Sequence, residues 1–272
     1  MKILVTVKRI PDPVEPPKFS AGKLDTSSVK WVQNEFDEYA VETALRMAEV
    51  GGGTERLAEV IVVSVCPADK REHVTNFLAM GADRAVVVDA DDMQLDAQSI
   101  AQLLAAVYKK EGVDLLVSGK LSQDGESNEV SQRVAGLLDL PQATFAASVT
   151  WDREGKALQV AREVEDGVET KRVPLPAVMS VDLRIVLPHS VQNGVTKPDH
   201  PYQDKPRLAS LRGITMAKRK KVDVYKPADL GVTPASHATI ASAVPPPKRQ
   251  AGKMVQSVEE LVEKLATEAK VL

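Results

Sequence analysis

The feature that most constrains this chain is an alternation running from its first residues to Pro141: short unbroken Val/Ile/Leu runs separated by stretches with apolar residues at helical spacing. Continuous apolar runs at residues 2–7, 59–65, 84–88 and 113–117 predict strands buried on both faces. Between them, residues 40–48, 68–80, 97–110 and 127–138 carry the helical period, and Gly51-Gly52-Gly53 and Gly81 supply stops. Strands joined by helical crossovers predict an α/β fold, a mostly parallel sheet with helices on both faces. Pro11, Pro13, Pro16 and Pro17 forbid a helix directly after the first strand and predict a long loop there.

From Gln142 the pattern changes. Runs at 157–164 and 168–173, joined by Glu165-Asp166-Gly167, predict a small β-hairpin addition, and residues 178–186 return to a strand. Residues from about 186 to 205 keep no core-forming period and read as a long inserted surface loop. After it comes a basic segment, 206–221, with Arg207, Arg212, Lys218, Arg219, Lys220 and Lys221 among Leu208, Leu211, Ile214 and Met216. Pro227, Gly231, Pro234 and Pro245-Pro246-Pro247 then precede a single helix at 257–270, with Ser257 and Glu260 as its capping box. The expected organisation is an α/β domain over 1–225 and a C-terminal arm over 226–272. The arm is too small to hold a core of its own and needs a surface to pack on.

Composition removes several function classes. Two Trp, four Tyr and four Phe are too few for an aromatic base-stacking platform, and a net charge of -3 gives no general attraction to polyanions. A nucleic-acid role for Lys218 to Lys221 is therefore disfavoured against a solvated surface or a docking site for an acidic protein. The single Cys66 excludes an internal disulfide and fits a reducing compartment, and four scattered histidines suggest no metal site. No apolar run is long enough to span a membrane, so the expected location is cytoplasmic.

In an open parallel sheet, ligands bind beyond the carboxyl ends of the strands, where loops lead into helix N-termini. Three loops qualify: the one after Thr6, Asn34-Glu35-Phe36-Asp37, and the segment Gly119, Lys120, Leu121, Ser122, Gln123, Asp124, Gly125, Glu126, Ser127, Asn128. The last offers two glycines for close backbone approach, with Ser127 and Asn128 as donors at a helix start. Neither G-x-x-x-x-G-K-[ST] nor G-x-G-x-x-G is present, which disfavours a P-loop hydrolase or a dinucleotide-binding Rossmann domain. Asp91-Asp92 falls in a loop without an evident acid–base partner, and no nucleophile elbow or Cys–His pair is found.

Several segments together resemble the β subunits of electron transfer flavoproteins over nearly the whole chain. They are Val7-Lys8-Arg9 with Pro11-Asp12, Asn34-Glu35-Phe36-Asp37-Glu38, Ala79-Met80-Gly81-Ala82-Asp83-Arg84, Gly119-Lys120 through Asn128, and Pro141-Gln142-Ala143-Thr144-Phe145-Ala146. Arg162-Glu163-Val164, Leu175-Pro176-Ala177-Val178, Met216-Ala217-Lys218-Arg219-Lys220-Lys221 and Asp229-Leu230-Gly231-Val232 complete the set. The resemblance implies an adenine nucleotide alpha hydrolase-like domain that serves as an electron carrier subunit rather than an enzyme. It implies a heterodimer with an α subunit bearing the redox-active FAD, electrons arriving from acyl-CoA or other flavin dehydrogenases of fatty-acid β-oxidation, and delivery to a quinone oxidoreductase.

By position, a structural AMP would contact Thr6, Asn34, Glu35, Phe36, Asp37, Val65, Gly119 to Asn128, Glu129 and Val130. Leu211 aligns with the family's docking leucine, and Arg207, Lys218, Arg219, Lys220 and Lys221 would face the dehydrogenase. The sequence departs from the family pattern in the long loop before that segment, in Arg212-Gly213 after the leucine, and in Val130, where a threonine is usual. Asp124-Gly125 leans toward relatives that bind a second FAD and bifurcate electrons, whereas Ser127-Asn128 leans toward AMP. A stand-alone nucleotide-binding hydrolase or sensor of similar fold is the reading from another class.

Overall fold

The computed structural model describes residues 1–245, 247–248, 251–252 and 254–272; Pro246, Arg249, Gln250 and Lys253, assigned to the arm by the sequence, lie outside the described residues. In chain order the elements are strands β1 (Lys2–Thr6), β2 (Arg9–Pro11), β3 (Phe19–Ser20), β4 (Lys23–Leu24) and β5 (Trp31–Gln33), helix α1 (Glu35–Ala48), β6 (Glu59–Cys66), α2 (Glu72–Met80) and β7 (Arg84–Asp89). There follow α3 (Ala97–Glu111), β8 (Leu115–Gly119), α4 (Val130–Leu138), β9 (Gln142–Asp152), β10 (Ala157–Val164), β11 (Gly167–Pro174), β12 (Ala177–Val181), β13 (Val191–Gln192), α5 (Leu211–Ala217), β14 (Val222–Tyr225) and α6 (Val258–Lys264).

Ten strands make one sheet in the order β11-β10-β9-β12-β8-β1-β6-β7-β14, with β13 on β9. Only the β9–β10 and β10–β11 pairs are antiparallel; the others are parallel, as the apolar runs predict. Because successive strand residues face opposite sides, Ile3, Val5, Val60 and Val62 join α1 and α2 in one apolar cluster, while Leu4, Ile61 and Val63 join α3 and α4 in a second. Helices therefore cover both faces, as expected.

Four departures from the sequence reading have physical causes. The proline-rich segment after β1 is not a plain loop: β2 pairs antiparallel with β5, and β3 pairs with β4. Strand β9, eleven residues long, escapes a search for alternation because a register shift interrupts it, so its burial is irregular. Helix α4 starts at Val130 rather than at Ser127, leaving Ser127 and Asn128 in the preceding loop. Residues 226–240, expected in the arm, belong to the α/β unit, which comprises Met1–Pro16 and Thr26–Ile240. There Leu230 and Val232 pack on the second apolar cluster, and the His237 and Ala238 amides donate to the Asp96 carboxylate.

The remaining unit, Pro17–Asp25 with Ala241–Leu272, holds the β3–β4 hairpin and α6. Within it the Ala243 amide donates to Gly22 O, and Ser257 Oγ accepts from the Glu260 amide at 3.1 Å, the expected cap. The Glu260 carboxylate returns to the Gln256 amide, one residue before the position a capping box prescribes.

The inserted loop is ordered by α1. A helix leaves its last carbonyls without intrahelical donors, and Asn193, only 1% exposed, supplies one: its Nδ2 donates to Arg46 O and Glu49 O at 3.0 and 2.7 Å. Its Oδ1 accepts from the Val195 and Thr196 amides. Replacing Asn193 with Ala strands the Arg46 carbonyl, while Glu49 O keeps the Thr196 hydroxyl, so urea unfolding should report a loss of about 2 kcal/mol; a change below about 0.5 kcal/mol would mean that the loop does not brace the helix.

Candidate functional site

The chain runs from β1 to β6 and β7 toward one edge of the sheet, then returns to β8 on the other side of β1. This reversal makes β1 and β8 a topological switch point, where helices diverge to opposite faces and leave a crevice beyond the strand ends. A cavity of about 240 Å³ occupies that position. Thr6 and Lys8, Asn34 and Asp37, Val65, Gly119 to Ser122 and Ser127 to Ser131 contribute to its walls, and Leu95, Ile100 and Leu104 give it an apolar side.

Two side chains knit its three loops together. The Asn34 amide group donates to Asp37 Oδ1 at 3.0 Å and to Leu121 O at 3.1 Å, while its Oδ1 accepts from the Gln123 amide at 3.2 Å. Asp37 Oδ2 accepts from the Lys8 amide at 2.7 Å, and the Asn34 amide donates in turn to Lys8 O. The loop after β1, the start of α1 and the loop after β8 are thereby fixed to one another. Gly119 permits this, because a Cβ there would lie 2.8 Å from the Phe36 backbone and 2.9 Å from Asp37 Oδ1.

Around this junction the charges are paired. Lys8 Nζ bridges to Asp124 at 2.8 Å, and Lys120 Nζ bridges to Asp182 at 2.8 Å while lying over the Phe36 ring. Asp92, without a partner in the sequence, takes a bidentate pair from buried Arg9, whose guanidinium stacks on Trp31. Hydrogen bonds from backbone amides, that of Ser99 foremost, hold the Asp96 carboxyl well below the usual range at the α3 N-terminus. Helix α4 has no side-chain cap on its first turn, and Ser131 Oγ meets Ser118 Oγ at 2.5 Å beneath it. Glu126 and Asn128 both adopt positive φ in the approach to that turn, a conformation costly for Glu and easier for Asn.

Of the residues singled out by sequence, Thr6, Asn34, Asp37, Val65, Gly119, Lys120, Leu121, Ser122, Ser127, Asn128, Glu129 and Val130 line the cavity. Glu35, Phe36, Gln123, Asp124, Gly125 and Glu126 lie outside its lining. Glu35 and Gln123 instead bond each other, and Asp124 anchors Lys8. Lys8 falls in the loop after Thr6 that the sequence picked, whereas Asp92, Leu95, Asp96, Ile100, Leu104, Ser118 and Ser131 were missed as wall residues. Asp96 carried a usable signal, an N-cap residue placed just ahead of a helical period.

In the basic segment, Leu211, Lys218, Arg219 and Lys221 are exposed. Arg207 and Lys220 face inward instead. Lys220 Nζ donates to Leu78 O and Ala82 O at the end of α2, and Arg207 pairs with Glu42 and Glu49 of α1 and the residue after it. Backbone carbonyls and carboxylates of α1 and α2 draw these two cations out of the solvated set.

Burial raises the Asp37 carboxyl to about 7, against the Lys8 and Asn34 hydrogen bonds that pull it down. A folded pKa above the unfolded one, which is about 4, contributes stability that is complete below pH 4 and lost as pH rises through about 7. The stability of the parent protein relative to Asp37→Asn should therefore fall between about pH 4 and pH 7; a difference that is flat or rises over that range would contradict the buried neutral acid.

A model of the electron transfer flavoprotein domain matches residues 21–230. The chain is 39% identical over 270 residues to the human electron transfer flavoprotein subunit beta, covering 97% of this chain and 96% of that protein. It is likewise 39% identical to the mitochondrial electron transfer flavoprotein subunit beta of Arabidopsis thaliana and 38% identical to that of Oryza sativa subsp. indica, over all of each chain. The sheet, the switch-point cavity and these matches agree, and the chain belongs to the electron transfer flavoprotein family, among its beta subunits.

Proposed function

We propose that this chain is the nucleotide-holding and donor-docking half of an electron carrier: it pairs with an FAD-bearing α subunit, encloses a structural AMP, and meets acyl-CoA or other flavin dehydrogenases on the way to a quinone oxidoreductase. The observation that carries the reading is the switch-point cavity, whose residues suit a mononucleotide. Leu95, Ile100 and Leu104 offer an apolar wall to a base, and the uncapped first turn of α4, with Ser127 and Asn128 beside it, offers donors to a phosphate. At about 240 Å³, with no aromatic ring in its lining, the cavity favours AMP over a second FAD.

The FAD, held mainly by the α subunit, supplies the electron chemistry when bound; this chain contributes no catalytic residue to it. Two exposed features support the partner assignments. Val258, Leu261, Val262, Val271 and Leu272 leave apolar side chains of the arm uncovered, which suits packing on the α subunit. Leu211, at 86% exposure, stands with Leu208, Ile214 and Met216 beside Lys218, Arg219 and Lys221, a surface suited to an apolar pocket with an acidic rim on the dehydrogenase.

Denaturing the purified heterodimer and separating the released nucleotides tests the reading. One FAD and one AMP per heterodimer are expected. Two FAD and no AMP would replace the reading with an electron-bifurcating subunit, and a chain purified without either nucleotide would overturn both.

A further inference from the structure

Before the exposed Leu211 lies a residue whose side chain is committed elsewhere. Arg207 donates from Nε to Glu42 Oε2 at 2.7 Å and from Nη1 and Nη2 to the two Glu49 carboxylate oxygens at 2.9 and 2.7 Å. Its backbone amide also reaches Glu42 Oε2, at 3.2 Å. Both carboxylates are buried, and Glu42 is shared with Arg46, which donates to Glu42 Oε1 at 2.7 Å. Arg46 spends its remaining donors on Val186 O and Gln203 O, the two ends of the inserted loop. The chain therefore enters the docking segment from a clamp on α1.

It leaves the segment through a second fixed point. A Cβ on Gly213 would run into the Ala79 carbonyl, so α5 sits directly on the C-terminal end of α2, and Ser210 caps it by accepting from the Gly213 amide at 3.0 Å. Between these two feet, Leu208 is 84% and Leu211 is 86% exposed. The stretch is fixed at both ends; between them Ala209 packs on the first apolar cluster while Leu208 and Leu211 turn outward.

We propose that Arg207 is a positioning residue for electron-donor docking: its fork into Glu42 and Glu49 fixes the first foot of this stretch and so sets where Leu211 is presented. The inference rests on the docking reading above and goes beyond it, since the Arg207 guanidinium is spent on Glu42 and Glu49 of its own chain. A planar guanidinium satisfies two carboxylates at once, which a lysine ammonium cannot do in the same geometry. Arg207→Lys keeps the charge, and therefore the overall attraction to an acidic partner, while loosening the foot.

The test is reduction of the purified heterodimer by an acyl-CoA dehydrogenase, with heterodimer concentration varied. Arg207→Lys should raise KM about tenfold and leave kcat within about twofold, with FAD and AMP content unchanged. Glu49→Gln, which weakens the same foot and leaves Arg207 in place, should raise KM in the same direction. In a Leu211→Ala background, where the anchor is already gone, Arg207→Lys should add little, because both changes remove one interaction. A raised KM for Leu211→Ala beside an unchanged KM for Arg207→Lys and Glu49→Gln overturns the positioning role alone. Effects of Arg207→Lys and Leu211→Ala that multiply would also overturn it, and an unchanged KM for Leu211→Ala would overturn the docking reading and the positioning role together.

Discussion

Three loops that are far apart in sequence meet at Asn34 and Asp37, and the remainder of the site depends on that meeting. The two side chains form hydrogen bonds to Lys8, Leu121 and Gln123 as well as to each other. Buried polar groups are tolerated only when satisfied, so the junction holds in one arrangement or is costly to form. Its satisfaction explains how a crevice lined by irregular backbone persists between β1 and β8. It also explains the missing side chain at Gly119, since the Phe36 backbone occupies the space a Cβ would take.

Helix α1 carries this constraint through the molecule. Its N-terminal end, at Asn34 and Asp37, helps to build the switch-point cavity, and its far end receives Asn193, Arg207 and both ends of the inserted loop. Arg46 and Glu42, one turn apart, are both buried and both shared between the helix and later chain. A buried pair of this kind stabilises only when its remaining donors and acceptors are met. Here the Val186 and Gln203 carbonyls complete the Arg46 fork, which makes the loop part of the scaffold rather than an appendage.

Much of this was legible in the sequence where the signal is local. Val/Ile runs marked the parallel strands of the sheet centre, and the switch-point rule picked the loops at Thr6, Asn34 and Gly119 that line the cavity. What stayed hidden depends on distant partners. Arg207 and Lys220 read as members of a solvated basic run because Glu42 lies 165 residues and Leu78 lies 142 residues away. Strands β13 and β14 are too short to show a period, and Asn193 looked like loop polarity until the end of α1 gave it acceptors. Asp92 likewise gained its meaning only from Arg9.

The central claim is that a glycine-dependent junction shapes a mononucleotide site in this subunit while the flavin is held elsewhere. The nucleotide content of a Gly119→Ala heterodimer tests it most directly, because the added methyl meets the Phe36 backbone and Asp37 and pushes the loop after β8 away from Asn34 and Asp37. The account predicts that the purified variant keeps its FAD and loses AMP. Retention of AMP at one per heterodimer, or loss of FAD in step with AMP, would contradict it.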